Sequence, residues 1–351
     1  MASRNHALVV GATGVVGRNM ISHLLREGSW DITAISRRAP DLVGAFDHVS
    51  VDLLDAHDAA LKLRQLRGVT HVFYSAYLER ASWIESTAPN NAMLTNLLDA
   101  LQPVMSRIEH INLMHGTKWY GSHLGPFKTP AKENDPRGPG PNFYHDQLDL
   151  VSERQRNQNW TWSAVRPHAI CGIATGNPMN LINVIAVYAS LAKARGLPLS
   201  FPGTEANFNA LYQCVDAGHL ARAVTWMATD LRCGNHAFNI TNGDIFRWKD
   251  VWPSIARYFE LEVGQQQHTS LVDSMRDLAP LWDQLVSKHS LRPIALDQLV
   301  AWRFGDSVFG SSYDMISSMT KARQFGFHDV IDTEEMFPRI FDELRAKRVI
   351  P

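Results

Sequence analysis

The segment Gly11-Ala-Thr-Gly14-Val-Val-Gly17, set directly behind the apolar run Ala7–Val10, restricts this chain more than any other stretch. Four consecutive apolar residues without alternation suit a strand buried on both faces, as in a parallel sheet covered by helices. After the loop, Met20, Ile21, Leu24 and Leu25 recur at helical spacing, and Gly28 is placed to end that helix. A strand, a glycine-rich turn and a helix, in that order, open a dinucleotide-binding βαβ unit. Gly11 permits the tight turn, Gly14 lets backbone approach a pyrophosphate, and Gly17 lets helix pack closely on strand. The helix N-terminus offers free N–H groups and partial positive charge to the phosphates. Thr13, Val15 and Val16 complete this candidate cradle.

The first half of the chain continues the pattern. Further strands are expected at Ile32–Ser36, His48–Asp52, Thr70–Ser75, Ile108–Met114 and Trp162–Val165, the last stopped by Pro167. An amphipathic helix carrying Met93, Leu97, Leu98 and Leu101 precedes the fifth of these six strands. Alternation of short apolar strands with helices predicts an α/β fold: a Rossmann-type doubly wound parallel sheet. Residues 1–165, rejoined by elements near 205–245, are expected to build it. Residues 166–204 and 246–351 are expected to form a smaller, mostly helical lid, with the substrate between the two parts. Leu271–His289 reads as one amphipathic helix of that lid, and Pro126–Pro141 as a long surface loop.

With 34 basic and 35 acidic side chains, the chain has no global field for nucleic acid or an anionic membrane surface. The longest apolar stretch, Leu181–Ala192, is interrupted by Asn183 and too short to cross a bilayer, so no membrane insertion is expected. Cys171, Cys214 and Cys233 show no metal-ligand spacing and suggest buried thiols in a reducing compartment. The start, Met-Ala-Ser-Arg-Asn-His, lacks the apolar stretch of a signal peptide. A cytoplasmic protein without a bound metal is the expectation.

The end of the second strand separates NAD from NADP. An acid there would bind the ribose 2′-hydroxyl, whereas arginine accommodates a 2′-phosphate. Here the strand ends Ser36-Arg37-Arg38, and two guanidiniums can clamp a phosphate with forked hydrogen bonds. The alternative is a pair of ordinary solvated charges. The expected cofactor is therefore NADP(H). Asp52 and Leu53, after the third strand, are expected to flank the adenine. Ser75, Ala76 and Tyr77, after the fourth, line the nicotinamide half, with Gly116, Tyr144, Pro167 and Ile170 as further cofactor contacts.

The G-x-x-G-x-x-G spacing resembles that of the extended short-chain dehydrogenases/reductases. Such enzymes usually carry a tyrosine with a lysine four residues later, on one helix face. Here Tyr74, Tyr77, Tyr120, Tyr144, Tyr188 and Tyr212 are followed at that spacing by Leu78, Ala81, Leu124, Leu148, Ala192 and Asp216. A substitute lies in INLMHGTKWYGSHLGPF (111–127) and PNFYHDQL (141–148). Together these resemble the progesterone 5β-reductase/iridoid synthase family. There a lysine sits in Gly-x-Lys-x-Tyr after the fifth strand and the tyrosine in a later Asn-Phe-Tyr; the matching residues are Lys118 and Tyr144. The resemblance extends through Trp162-Ser163, Arg166-Pro167, Leu197–Gly203, Ala237–Asp244, Trp282-Asp283, Lys321–Phe327 and the terminal Val349-Ile-Pro. Trp119, Ser122-His123 and His145 are departures around the chemistry.

The resemblance implies hydride delivery from NADPH to the β-carbon of an α,β-unsaturated carbonyl, on a small hydrophobic substrate. Tyr144 would donate a hydrogen bond to the enolate oxygen, and Lys118 would favour electron release from the phenol. Reduction of a ketone or aldehyde at the carbonyl carbon is the close rival. A non-redox cyclase or isomerase and an NADP(H)-sensing binding protein are further options. Bound-cofactor epimerases favour NAD and the Tyr-x-x-x-Lys pair, both missing here. A homodimer is open by analogy with extended reductases. His115, His123 and His145 read as polar loop residues. Trp83, Trp119, Phe143 and Phe208 are candidates for an apolar pocket wall, although aromatic residues are more often core.

Overall fold

In the computed structural model, which describes residues 4–174 and 179–351, the chain alternates strand and helix from the outset. Met1, Ala2 and Ser3 of the amino-terminal reading lie outside the described residues. The first strand, β1 (Asn5–Val10), leads through the glycine loop into α1 (Val15–Glu27), which ends at Gly28 in the left-handed conformation. Then follow β2 (Trp30–Ser36), β3 (Asp47–Ser50), α2 (Ala56–Leu63), β4 (His71–Tyr74), α3 (Trp83–Leu101), β5 (His110–Met114), α4 (Phe143–Gln155) and β6 (Thr161–Pro167). Shorter pieces follow: β7 (Ala169–Cys171), α5 (Leu181–Ala194), α6 (Glu205–Asn209), β8 (Leu211–Tyr212) and β9 (Cys214–Asp216). Next come α7 (Ala217–Thr229), β10 (His236–Ile240), β11 (Phe246–Arg247) and α8 (Trp248–Tyr258).

Seven parallel strands stand in the order β10-β6-β5-β4-β1-β2-β3. This is the expected Rossmann-type sheet. Both faces are covered, which explains the unbroken apolar run in β1. Ala7 and Val9 pack with Met20, Ile21 and Leu24 of α1 and Leu220 and Val224 of α7. Leu8 and Val10 point the other way, into a cluster with Leu94, Leu97 and Leu98 of α3. The return through α7 and β10 makes the sheet discontinuous in sequence. Met319, Ala322 and Phe327 also pack on the α1–α7 face, although they fall in the stretch expected to belong to the lid.

A second core gathers α5, α8 and the C-terminal helix Thr333–Ala346 around Trp248, Trp252, Trp282, Phe337 and Phe341. The indole Nε1 of Trp252 donates to the Leu199 carbonyl (3.1 Å), so this large ring is buried without an orphaned donor. Asn183, the polar break in α5, is buried and donates to the Ala174 and Leu299 carbonyls.

Three local expectations are corrected. The single helix Leu271–His289 is two helices, Leu271–Ser274 and Ala279–Lys288. Pro280 lacks the N–H and its ring would collide with the preceding turn, so it starts a new helix instead of continuing one. The third strand stops at Ser50, leaving Asp52 and Leu53 in the turn before α2, where the Asp52 backbone N–H donates to Asp58. The sixth strand runs through Pro167, which pairs with Ile240 at its very end, where a missing donor costs little.

Buried histidines in and beside this sheet are held uncharged. Burial holds His71 down to about 4, and His110 and His168 down to about 3. An unfolded chain takes up these protons near the ordinary value of about 6.5, while the folded chain refuses them. Stability therefore falls as pH drops below about 6.5 and continues to fall toward about 4. Urea unfolding midpoints should hold steady above neutrality and decline progressively through that window; a midpoint unchanged down to about pH 5 would contradict these assignments.

Candidate active site

Two glycine contacts fix where a ligand could enter. Gly11 has φ +88°, and a Cβ there would come within 2.8 Å of the Ser75 carbonyl and the Ala76 nitrogen. A Cβ on Gly17 would overlap the Gly11 carbonyl oxygen, so α1 rises directly off the end of β1. Gly14 is extended (φ −72°, ψ 166°), a conformation any residue can adopt. Its lack of a side chain serves room above the helix start, not backbone strain. That N-terminus carries no side-chain cap and no acid in its first turn. It is thus a cradle that fits a pyrophosphate.

The crevice lies between β1 and β4, where successive connections leave in opposite directions. Ser75 donates both its N–H (2.9 Å) and its hydroxyl (2.8 Å) to the Val10 carbonyl, knitting β4 to β1 beside Gly11. Thr13 and Val16 are half-buried in the loop and first turn, and Ile170 packs, as Val16 does, against the cluster of Val15, Ala174 and Ala217. On the other side of β1, Arg37 and Arg38 are exposed after β2. Their carbonyls accept from the Ser50 and Ser36 hydroxyls (2.9 and 2.6 Å), which pins the turn. Neither guanidinium has a carboxylate partner among the described residues. The Asp52 carboxylate accepts from the Leu54 N–H (3.0 Å), and the buried Leu53 offers its carbonyl to Asn96 (2.8 Å).

The second group of residues meets beyond β5. Gly116 follows that strand, and Lys118 lies in the single turn Thr117–Tyr120 that Gly121 (φ +82°) closes. Tyr144 lies in the first turn of α4, capped by Asn142. The buried Asn142 does two things: its Oδ1 accepts the Tyr144 N–H (3.0 Å), and its Nδ2 donates to the Lys118 carbonyl (2.8 Å). One side chain thus fastens the lysine segment to the tyrosine segment. A Cβ on Gly116 would lie 3.6 Å from the Tyr144 hydroxyl and 3.6 Å from the Pro167 carbonyl, so these three residues converge.

An aromatic shell surrounds the pair. Tyr77 stacks on Phe143 (centroids 6.0 Å), Trp83 packs at a tilt on Phe143 (4.5 Å), and Trp83 and Tyr144 meet edge to face (5.3 Å). His115 stacks on Tyr144 (4.8 Å) and Trp119 (5.6 Å). It is fully buried, with neither ring nitrogen hydrogen-bonded among the described residues, and not a polar loop residue as expected. His145 is buried too, bonded to the Trp119 carbonyl (3.0 Å). His123 packs on Trp83 (5.1 Å). Phe208 is elsewhere, stacked on Phe201 in the second core (4.8 Å).

Burial pushes the Tyr144 phenol above its ordinary value, with Tyr77 adding slightly, and raises Tyr77 itself to about 12. Burial pulls the Lys118 amine down, opposed by Glu79. It holds His115 well below the usual imidazole range, helped by Arg166 and His145. Tyr144 is therefore a proton-bearing donor. The other tyrosine of the segment, Tyr120, is already engaged: its hydroxyl donates to Asn239 (2.7 Å) and accepts from the buried Arg166 (3.0 Å). The arrangement suits hydrogen-bond donation from one buried phenol to a developing oxyanion. Sequence reasoning missed Asn142, although an asparagine directly before a helix start is an N-cap signal.

The chain matches the family described as a PRISE-like Rossmann-fold domain over residues 42–351. It is 34% identical over 373 residues to an (S)-8-oxocitronellyl enol synthase of Nepeta racemosa, covering 100% of this chain and 95% of that protein. It is 32% identical over 364 residues to a 3-oxo-Delta(4,5)-steroid 5-beta-reductase of Arabidopsis thaliana, covering 98% and 93%. Among solved structures it superposes on UDP-glucose 4-epimerase from Thermotoga maritima with a TM-score of 0.70 at 14% identity, covering 97% and 99% of the two chains. The Thermus thermophilus UDP-glucose 4-epimerase in complex with NAD gives 0.65 at 18% identity, covering 97% and 99%. The epimerase likeness is one of fold.

Asn142→Ala removes a helix cap and orphans the Lys118 carbonyl, and should cost about 1 kcal/mol or somewhat more. Asn142→Asp keeps the acceptor and should recover the cap portion. Urea unfolding of the three proteins checks this; an alanine variant as stable as the parent would mean that the bracket is not formed.

Proposed function

The chain belongs to the PRISE-like Rossmann-fold family, and on that premise we propose that it is an NADPH-dependent reductase of α,β-unsaturated carbonyl compounds. Hydride would add to the β-carbon of an enone or enal on a small hydrophobic molecule. The observation that carries this reading is the Tyr144 hydroxyl, held beside Gly116 and Pro167 at the carboxyl ends of β5 and β6 and fastened through Asn142 to Lys118. The activities of two relatives, an (S)-8-oxocitronellyl enol synthase and a 3-oxo-Delta(4,5)-steroid 5-beta-reductase, support it.

When bound, the cofactor supplies the hydride. The chain supplies the rest. Gly11, Gly14 and Gly17 would take the pyrophosphate against the α1 N-terminus. Arg37 and Arg38, exposed and without an acidic partner among the described residues, would hold the 2′-phosphate and so prefer NADPH to NADH. As charge moves onto the carbonyl oxygen, the Tyr144 hydroxyl donates a hydrogen bond to it. The Lys118 ammonium stabilises negative charge on the phenol–oxygen pair. The aromatic shell excludes water, which strengthens both effects. We place the protein in the cytoplasm because its three cysteines are free and buried. Among the described residues no helix is long and apolar enough to cross a membrane.

An NADPH-oxidation assay over enones, enals, ketones and aldehydes, with products identified, tests the reading. A saturated carbonyl product supports it. An alcohol with its alkene intact makes the enzyme a carbonyl reductase, and tight NADPH binding without turnover of any substrate favours the non-redox or sensing alternatives. Tyr144→Phe should lower kcat by about 10²–10³.

The double variant Arg37→Ala with Arg38→Ala should weaken NADPH at least about tenfold more than NADH, roughly 1.4 kcal/mol of lost selectivity. Equal weakening of both would overturn the cofactor assignment.

A further inference from the structure

The Lys118 ammonium sits 4.3 Å from the centre of the Trp83 ring, well inside the range of a cation–π contact. The same ring packs at a tilt on Phe143 (34° between planes) and meets Tyr144 edge-on (74°), so Trp83 touches both members of the proposed catalytic pair. Among the described residues, the ammonium forms no ion pair and no hydrogen bond with a side chain or carbonyl. A half-buried lysine usually answers the loss of water with a carboxylate. Here it has an indole face.

The position of Trp83 is built, not incidental. It is the first residue of α3, directly after the Ser82 cap, whose Oγ accepts the Glu85 N–H (3.2 Å) and donates to the Glu85 carboxylate (2.8 Å). The chain leading in is clamped by Asn90, which accepts from the Leu78 N–H (2.9 Å) and donates to the Leu78 carbonyl (2.8 Å). These bonds fix the backbone from which the ring projects.

Resting on the reductase reading above, we propose that Trp83 is a positioning residue: its indole face holds the Lys118 ammonium beside Tyr144 in place of a carboxylate. The difference has chemical content. A carboxylate would occupy the ammonium's N–H donors and neutralise its field. A ring attracts the cation yet accepts no conventional hydrogen bond, so the ammonium's three N–H donors are left free for a ligand or water. The contact also opposes the burial that pulls the amine down. The other ionisable groups around this point are Glu79 from the segment before α3, His123 after Gly121, Tyr144 from α4, and His115 beneath it.

The test compares Trp83→Leu, Trp83→Gln and Trp83→Phe in the full chain. The first readout needs no substrate: labelling of the Lys118 amine by an amine-reactive reagent across pH, followed by mass spectrometry. Loss of the ring in the leucine variant should move the Lys118 titration down by roughly half a pH unit or more, and phenylalanine should restore most of it. The second is kinetic: Trp83→Leu should lower kcat about tenfold with KM changed less than about threefold, again rescued by phenylalanine. The glutamine variant replaces leucine should the latter fail to fold. An unshifted Lys118 profile with kcat intact, or a loss confined to KM, overturns the proposal. Should the parent enzyme reduce no enone, the reductase reading falls, while the labelling profile alone still decides whether Trp83 holds Lys118.

Discussion

Everything in this molecule is arranged around two backbone contacts that allow no side chain: Gly17 against the Gly11 carbonyl, and Gly11 against Ser75 and Ala76. The first lets α1 start where β1 stops, so the helix N-terminus opens over the sheet. The second brings the end of β4 alongside, with the Ser75 hydroxyl closing onto Val10. Because β4 lies on one side of β1 and β2 on the other, the crevice between them is a consequence of strand order. It has one floor and two ends. Arg37 and Arg38 mark one end; Gly116, Pro167 and Tyr144 mark the other.

The proposed catalytic pair is held together differently from the usual one. A tyrosine and a lysine four residues apart on one helix are held in register by the helix itself. Lys118 and Tyr144 belong to separate segments, a single turn after β5 and the first turn of α4, with a long loop between. Their relation therefore depends on tertiary bonds, and the Asn142 side chain supplies the most direct of them. Further ties keep α4 in place: Gln147 donates to the Asn90 carbonyl (3.1 Å), and His145 bonds the Trp119 carbonyl. The residue that caps α4 also sets the spacing of the chemistry.

What could be read from the sequence follows from how local the cause is. Ala7–Val10, the glycine loop and the Met93–Leu101 face were legible because burial on a parallel sheet writes itself as continuous or 3.6-residue apolar patterns. Leu271–His289 misled because its apolar periodicity continues across Pro280, and the missing N–H outweighs the pattern. His115 could not be placed in advance: the ring is buried by Tyr144 and Trp119 arriving from elsewhere in the chain. The same holds for Trp83. Its position at a capped helix start is local, but its contact with Lys118 exists only once β4, β5 and α4 are assembled.

The electrostatic character of the site also bears on which reaction it favours. Burial raises the Tyr144 phenol, so this group holds its proton firmly. A phenol that keeps its proton can donate a hydrogen bond to a developing oxyanion. An enolate delocalises its charge and can be stabilised by such a donor without taking the proton, later accepting one at carbon from water. An alkoxide formed by direct carbonyl reduction concentrates charge on oxygen and must be protonated there. The Lys118 ammonium lies over the Trp83 ring and, among the described residues, forms no ion pair with a carboxylate. Hydride addition at the β-carbon places on the carbonyl oxygen a delocalised charge that a hydrogen-bond donor can stabilise.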